Sequence, residues 1–209
     1  MTAIEMPNQI VIQAQPAKMR KILVIGSGGS GKSTFARRLG TLLELEVIHL
    51  DSIYWRAGWV EMPKPEWRTT VEELLSRGAW IMDGNYSGTI EMRLEASDTV
   101  IFLDMPRLLC VWRLIKRAML YRNQRRPDMA EGCPERLNWE FIKWVWDYHE
   151  RTRPKIVKLL MTTQKQVIWL RSPADVKSFL GANSLSSNPD PSAQSAWAAS
   201  NPGLKDGLS

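Results

Sequence analysis

The chain is poor in the residues from which metal clusters and thiol chemistry are built, with two cysteines and two histidines among 209 residues. Cys110 and Cys133 are spaced as neither a zinc knuckle nor a redox pair, and His49 and His149 are isolated and read as structural. No serine–histidine, cysteine–histidine or metal-cluster pattern is present. The thiols read as packing residues, which suits a reducing cytoplasm, where the protein is expected to reside. No apolar run approaches the about 20 residues of a membrane span. The first residues lack the basic-then-apolar layout of a secretion signal. A membrane partner is therefore not expected. Internal repeats are also lacking, which excludes a solenoid.

What is present is ordinary in bulk and unusual in detail. Hydrophobic residues make up 44% and charged residues 24% of the chain, the balance of a soluble domain of the usual size. Ten tryptophans are the oddity. The net charge is +6, and the excess is concentrated. Between Met105 and Leu160 thirteen Lys and Arg stand against six Asp and Glu. Such a surplus suits either nucleic acid or a pocket for polyphosphate.

The stretch Gly26-Ser27-Gly28-Gly29-Ser30-Gly31-Lys32-Ser33-Thr34 predicts the polyphosphate pocket. It fits Gly, four residues, Gly-Lys-Ser, and its context is the required one. Lys21–Ile25 reads as a buried strand before it. Phe35, Leu39, Leu42 and Leu43 recur at helical spacing after it. Glycines let successive backbone N–H groups turn onto an anion, and the helix N-terminus adds partial positive charge. Lys32 then reaches the β- and γ-phosphates, and the Ser33 hydroxyl can ligate Mg²⁺. ATP and Mg²⁺ are the cofactors expected.

Four more strands follow, over residues 46–50, 79–82, 99–104 and 166–170, alternating with helical patterns. This is a doubly wound α/β sheet. Residues 1–18 read as a flexible leader, 19–181 as the domain, and 182–209 as a disordered tail of Ser, Asn, Pro, Ala and Gly. Trp55 to Pro65 reads as a loop, and the helix opened by Pro106 carries Leu109, Trp112, Ile115, Ala118 and Met119 with Arg113, Lys116 and Arg117 between them. Residues 122–136, rich in arginine and broken by Pro127, Gly132 and Pro134, read as a mobile loop between helices. Parallel topology brings strand ends to the edge that carries the glycine loop. Asp51, Tyr54 and Trp55 after the second strand should therefore lie near a transferred phosphate, and Asp83 and Asp104 end the third and fourth strands. Either Asp83 or Asp104 can serve a metal, and Asp51 either addresses an acceptor or caps its turn. Trp55, Trp59 and Tyr86 suit stacking, whereas Trp80, Trp112 and Trp169 are expected in the core.

The glycine loop, together with His49–Trp55, Trp80–Tyr86 and Val100–Arg107, resembles an adenylate-kinase-like P-loop kinase. Within that group the chain is most similar to bacterial proteins labelled topology modulation, or FlaR-related. The resemblance runs from about Lys21 to Leu180. It implies a three-layer, nucleotide-kinase-like fold with a parallel five-stranded sheet of order 2-3-1-4-5 and a short lid at about 122–136. It also implies Mg²⁺-dependent transfer of the ATP γ-phosphoryl to a small acceptor: a nucleoside, a nucleotide or another hydroxyl compound. Asp83 is the carboxylate it assigns to the metal, beside Ser33. Arg113 and Arg117 are assigned to the nucleotide, with Gly26, Gly28, Gly29, Ser30, Gly31, Lys32, Ser33 and Thr34. Among the lid arginines Arg122, Arg125, Arg126 and Arg136, Arg126 is chosen as catalytic beside Lys32 and Asp51. Asp51, Tyr54, Trp55, Tyr86 and Arg93 are placed on the acceptor. Asn85-Tyr86 replaces the Phe-Pro-Arg continuation usual in nucleotide kinases. The family label also brings a nucleotide-dependent, DNA-binding regulator with ATPase activity, which no helix-turn-helix supports.

Overall fold

A computed structural model describes residues 19–121, 128–135 and 138–186. Arg122, Arg125, Arg126 and Arg136 of the lid, the leader 1–18, and residues 187–209 of the tail lie outside the described residues.

The first apolar run forms β1 (Lys21–Gly26), and the glycine loop hands the chain to α1 (Lys32–Leu43). β2 (Val47–His49) leads directly into a short helix, α2 (Leu50–Tyr54). Where the sequence reads as a loop, β3 (Trp55–Arg56) and β4 (Val60–Glu61) pair as an antiparallel hairpin. Its tip holds Gly58 at φ +78° and Trp59 at φ +65°. A left-handed tryptophan is uncommon, and here its indole N–H donates to the Pro134 carbonyl at 3.2 Å. Then come α3 (Lys64–Leu75), β5 (Trp80–Asp83), α4 (Ile90–Ala96) and β6 (Thr99–Leu103). The described residues close with α5 (Arg107–Leu120), α6 (Trp139–Arg151), α7 (Arg153–Thr162), β7 (Gln166–Leu170) and α8 (Pro173–Ser186). Pro154 sits in the first turn of α7, where its missing N–H costs nothing, so the chain breaks just before it. The last helix runs past Gly181 to Ser186, and Asn183 is buried.

β1, β2, β5, β6 and β7 form one parallel sheet in the spatial order β2-β5-β1-β6-β7. Numbered within that sheet alone, this is the expected 2-3-1-4-5. Alternation along β1 separates the layers. Ile22 and Val24 join Phe35 and Leu39 of α1, Cys110 and Leu114 of α5 and Phe179 of α8. Leu23 and Ile25 join Leu94 of α4 and Ile156, Val157 and Leu160 of α7 on the other face. A third cluster packs α3 through Trp67, Val71 and Leu74 on Ile48, Trp80 and Met82. Fully burying each such side chain stabilises by roughly 1.5–3 kcal/mol.

The phase of α5 differs from the expectation. Cys110, Leu114 and Ala118 are its buried residues, whereas Trp112 is 56% exposed and carries Lys116 over its ring at 5.1 Å. Apolar residues occur all around this helix, so periodicity alone cannot phase it. The consequence is functional. A stripe through 110, 114 and 118 turns Arg113 and Arg117 toward the glycine loop.

Candidate functional site

The site grows from the carboxyl edge of the sheet, where β1, β2 and β5 release their chains side by side. Gly29 is at φ +74°, and a Cβ there would come within 2.3 Å of the Cys110 carbonyl oxygen. Gly31, at φ +97°, is the residue that opens α1, and no side chain caps that N-terminus. The hydroxyls of Ser27 and Ser30 are buried without a hydrogen-bond partner. An uncapped helix start, glycine-only backbone and orphan hydroxyls make a cradle that suits a polyphosphate. Asn85 clamps its first residue. The amide oxygen accepts from the Gly26 N–H at 3.0 Å, and the amide nitrogen donates to the Gly26 carbonyl at 2.6 Å. This side chain completes the ladder like one more strand residue and ties the end of β5 to the loop, a role that sequence pattern does not announce.

Lys32 donates to the Ser27 carbonyl at 2.9 Å. Burial pulls its ammonium below the ordinary lysine value, opposed by the Asp51 and Asp83 carboxylates nearby. Arg113 reaches the same loop, donating to the Ser30 carbonyl at 2.9 Å. Arg117 lies at 3.1 Å from the buried carboxylate of Glu135. Lys32, Ser33, Thr34, Arg113, Arg117, Asp51 and Asp83 all line one cleft of about 1800 Å³. That exceeds the usual single-ligand pocket.

The two candidate metal carboxylates are in different situations. Asp104 is held by both nitrogens of the Arg153 fork at 2.7 Å each. Its oxygens are engaged by that bidentate pair. Asp83, 4% exposed, lines the cleft and pairs through one oxygen with His49 Nδ1 at 2.8 Å. Burial works to lower the His49 value, but the hydrogen bond and charge of Asp83 outweigh it and raise the imidazole above its usual range. His49 is thus not isolated; it holds one carboxylate oxygen of Asp83.

On the far side of the cleft Tyr86 donates its hydroxyl to Asp51 Oδ1 at 2.7 Å. Burial first, and then the facing Asp51 charge, push the phenol far above its usual value, so it remains a donor. Tyr54 packs against Tyr86 at 4.6 Å and against Trp55 at 5.2 Å between ring centroids, and it donates to Glu61 at 2.9 Å. Trp55 meets Trp59 edge to face at 5.5 Å. These rings wall the cleft beside Asp51.

Arg93 is a correction. The sequence reading places it on the acceptor, but its side chain is fully buried and points under the chain. It donates to the carbonyls of Thr89, Gly84, Asn85 and Tyr86 at 2.8–3.3 Å. Burial lowers the guanidinium to about 9, and carbonyls surround it. Arg93 therefore shapes the 84–86 turn that carries Asn85 and Tyr86. Gly26 is likewise a strand end behind the cradle, not part of the cleft lining.

No family model matches the chain, and no curated protein matches it. Solved structures do. Shikimate kinase from Acinetobacter baumannii, in complex with shikimate, superposes with a TM-score of 0.53 at 19% identity, over 80% of this chain and 93% of its own. A gluconokinase from Sinorhizobium meliloti 1021 gives a TM-score of 0.48 at 14% identity, over 87% of this chain and 98% of its own. The fold is that of the P-loop kinases, a three-layer nucleotide-kinase-like sandwich on a parallel five-stranded sheet.

Proposed function

We propose that the protein is a Mg²⁺-dependent kinase, adenylate-kinase-like, that moves the γ-phosphoryl of ATP to the hydroxyl of a small molecule. The observation that supports this most is Asp51. Its carboxylate, steadied by Tyr86, lines the same cleft as Lys32 and Asp83. An acceptor that already carries a phosphate needs no such base.

In this reading Asp51 takes the proton as the hydroxyl oxygen attacks phosphorus, the bond to the bridging oxygen breaks, and ADP leaves. Lys32 and Arg126 of the lid offset the charge on the transferred group, and Arg113 and Arg117 hold the nucleotide. Ser33 and Asp83 are the residues that would hold Mg²⁺, Asp83 through water. The ion would supply charge neutralisation between the phosphates. Tyr54, Trp55 and Tyr86 form the acceptor wall. Asp51→Asn keeps shape and removes the proton acceptor. Turnover should fall about a hundredfold or more, with ATP affinity unchanged. Steady-state kinetics beside ATP titration checks this, and wild-type kcat in the variant would remove Asp51 from the mechanism.

The second reading, a DNA-binding regulator of the topology-modulation kind, draws on the basic region 105–160. Several of its cations have other employment. Arg107 pairs with Glu150, Arg117 with Glu135, Arg151 with Asp147 and Arg153 with Asp104, while Arg113 serves the phosphate loop. Duplex DNA should therefore bind weakly at physiological salt and fall off steeply as salt rises. A salt series of binding isotherms tests this. Sequence-selective binding near nanomolar strength, roughly the range of specific regulators, would favour the regulator instead.

A further inference from the structure

The acceptor side of the cleft has its own charge, and with the kinase reading above as its basis we propose that the acceptor is a hydroxyl compound bearing an amine rather than an acid group. α2, the hairpin and the 84–86 turn bring two carboxylates, Asp51 and Glu61, and four rings, Tyr54, Trp55, Trp59 and Tyr86, into the cleft lining. The Glu61 carboxylate is anchored by the Tyr54 hydroxyl at 2.9 Å, so it has a fixed place at this rim. Half-buried aromatic faces beside carboxylates are a site for an ammonium ion, drawn to the ring quadrupole and to the negative charge together. A carboxylate or phosphate on the acceptor would instead meet two like charges.

Among the described residues, the cations nearest this wall have other partners or line the cleft from α1, α5 and α7. Arg93 is spent on main-chain carbonyls beneath the turn. Arg56, on the hairpin itself, pairs with Glu66, and Arg37 lies 3.9 Å from Asp128. Lys32 and Arg113 contact the phosphate loop, and Arg117 stands four residues on from Arg113. Lys155 and Lys158 line the cavity from α7, where both are exposed. The hairpin that carries Trp59 and Glu61 is itself fastened at its tip. The Gly58 N–H donates to the Gly132 carbonyl at 2.9 Å, and the Cys133 thiol lies 3.2 Å from the Arg56 carbonyl. The acidic, aromatic wall is thus a built part of the cleft.

The test uses choline and glycolate, two small alcohols of opposite charge, titrated into the full-length protein with ADP and Mg²⁺ present. The indole N–H signals of Trp55 and Trp59, assigned through Trp55→Phe and Trp59→Phe, report binding by NMR. Choline should shift both at millimolar concentration and glycolate neither, and Glu61→Gln should weaken choline several-fold. Shifts with glycolate, or none with choline, overturn the proposal. Because this readout needs no turnover, its outcome is separable from that of the kinase reading. A protein that binds choline here yet transfers phosphate to no hydroxyl would keep the cation site and lose the kinase.

Discussion

Lys32→Ala is expected to abolish phosphate transfer while the protein stays folded. The ammonium is the one side-chain cation carried by the phosphate loop itself, and its charge balances the transferring group. Loss of such preorganised charge from a water-poor site costs on the order of a hundredfold or more in turnover. The fold should survive because Lys32 opens α1 and makes its hydrogen bond within its own loop, to the Ser27 carbonyl. Burial also pulls its pKa down, so its loss removes a desolvated charge. Circular dichroism and thermal melting should match wild type while labelled ATP yields no phosphorylated product. Undiminished turnover would end the kinase assignment.

Arg93→Met is expected to act the opposite way, on stability before catalysis. Four carbonyls lose a charged donor, and three of them belong to the turn that positions Asn85 and Tyr86. Leaving a buried carbonyl without its donor typically costs about 1–3 kcal/mol, and here several lose theirs at once. Methionine keeps much of the volume, so the loss reports hydrogen bonding more than a cavity. Chemical denaturation should show a large drop in midpoint. Whatever remains folded should turn over poorly, because the clamp of Asn85 on Gly26 and the hold of Tyr86 on Asp51 depend on that turn. Wild-type stability with a raised KM for the acceptor would return Arg93 to the substrate.

What was legible in the sequence follows from what local pattern can encode. β1, β6 and β7 are short apolar runs buried on both faces, and such runs are visible without context. The phosphate loop is visible because its chemistry needs glycine and lysine at fixed spacing. The strand-end aspartates were visible through parallel topology, but not their employment. Nothing near Asp104 in sequence announces Arg153, 49 residues away, and nothing near Asp83 announces His49. The hairpin at 55–61 was hidden because each of its strands has two residues, too few for alternation to register. Arg93 misled for a different reason. An arginine after a substrate-side turn has the right position for a phosphate, and only the direction of its side chain shows that the carbonyls claim it.

The most direct measurement incubates the wild-type protein with Mg²⁺ and γ-labelled ATP against nucleosides, nucleotides, sugars and amino alcohols, and follows the label. The account predicts label on the hydroxyl of a small acceptor, lost in Asp51→Asn and in Lys32→Ala. Label found only as inorganic phosphate across the whole series, unaltered by Asp51→Asn, would contradict it.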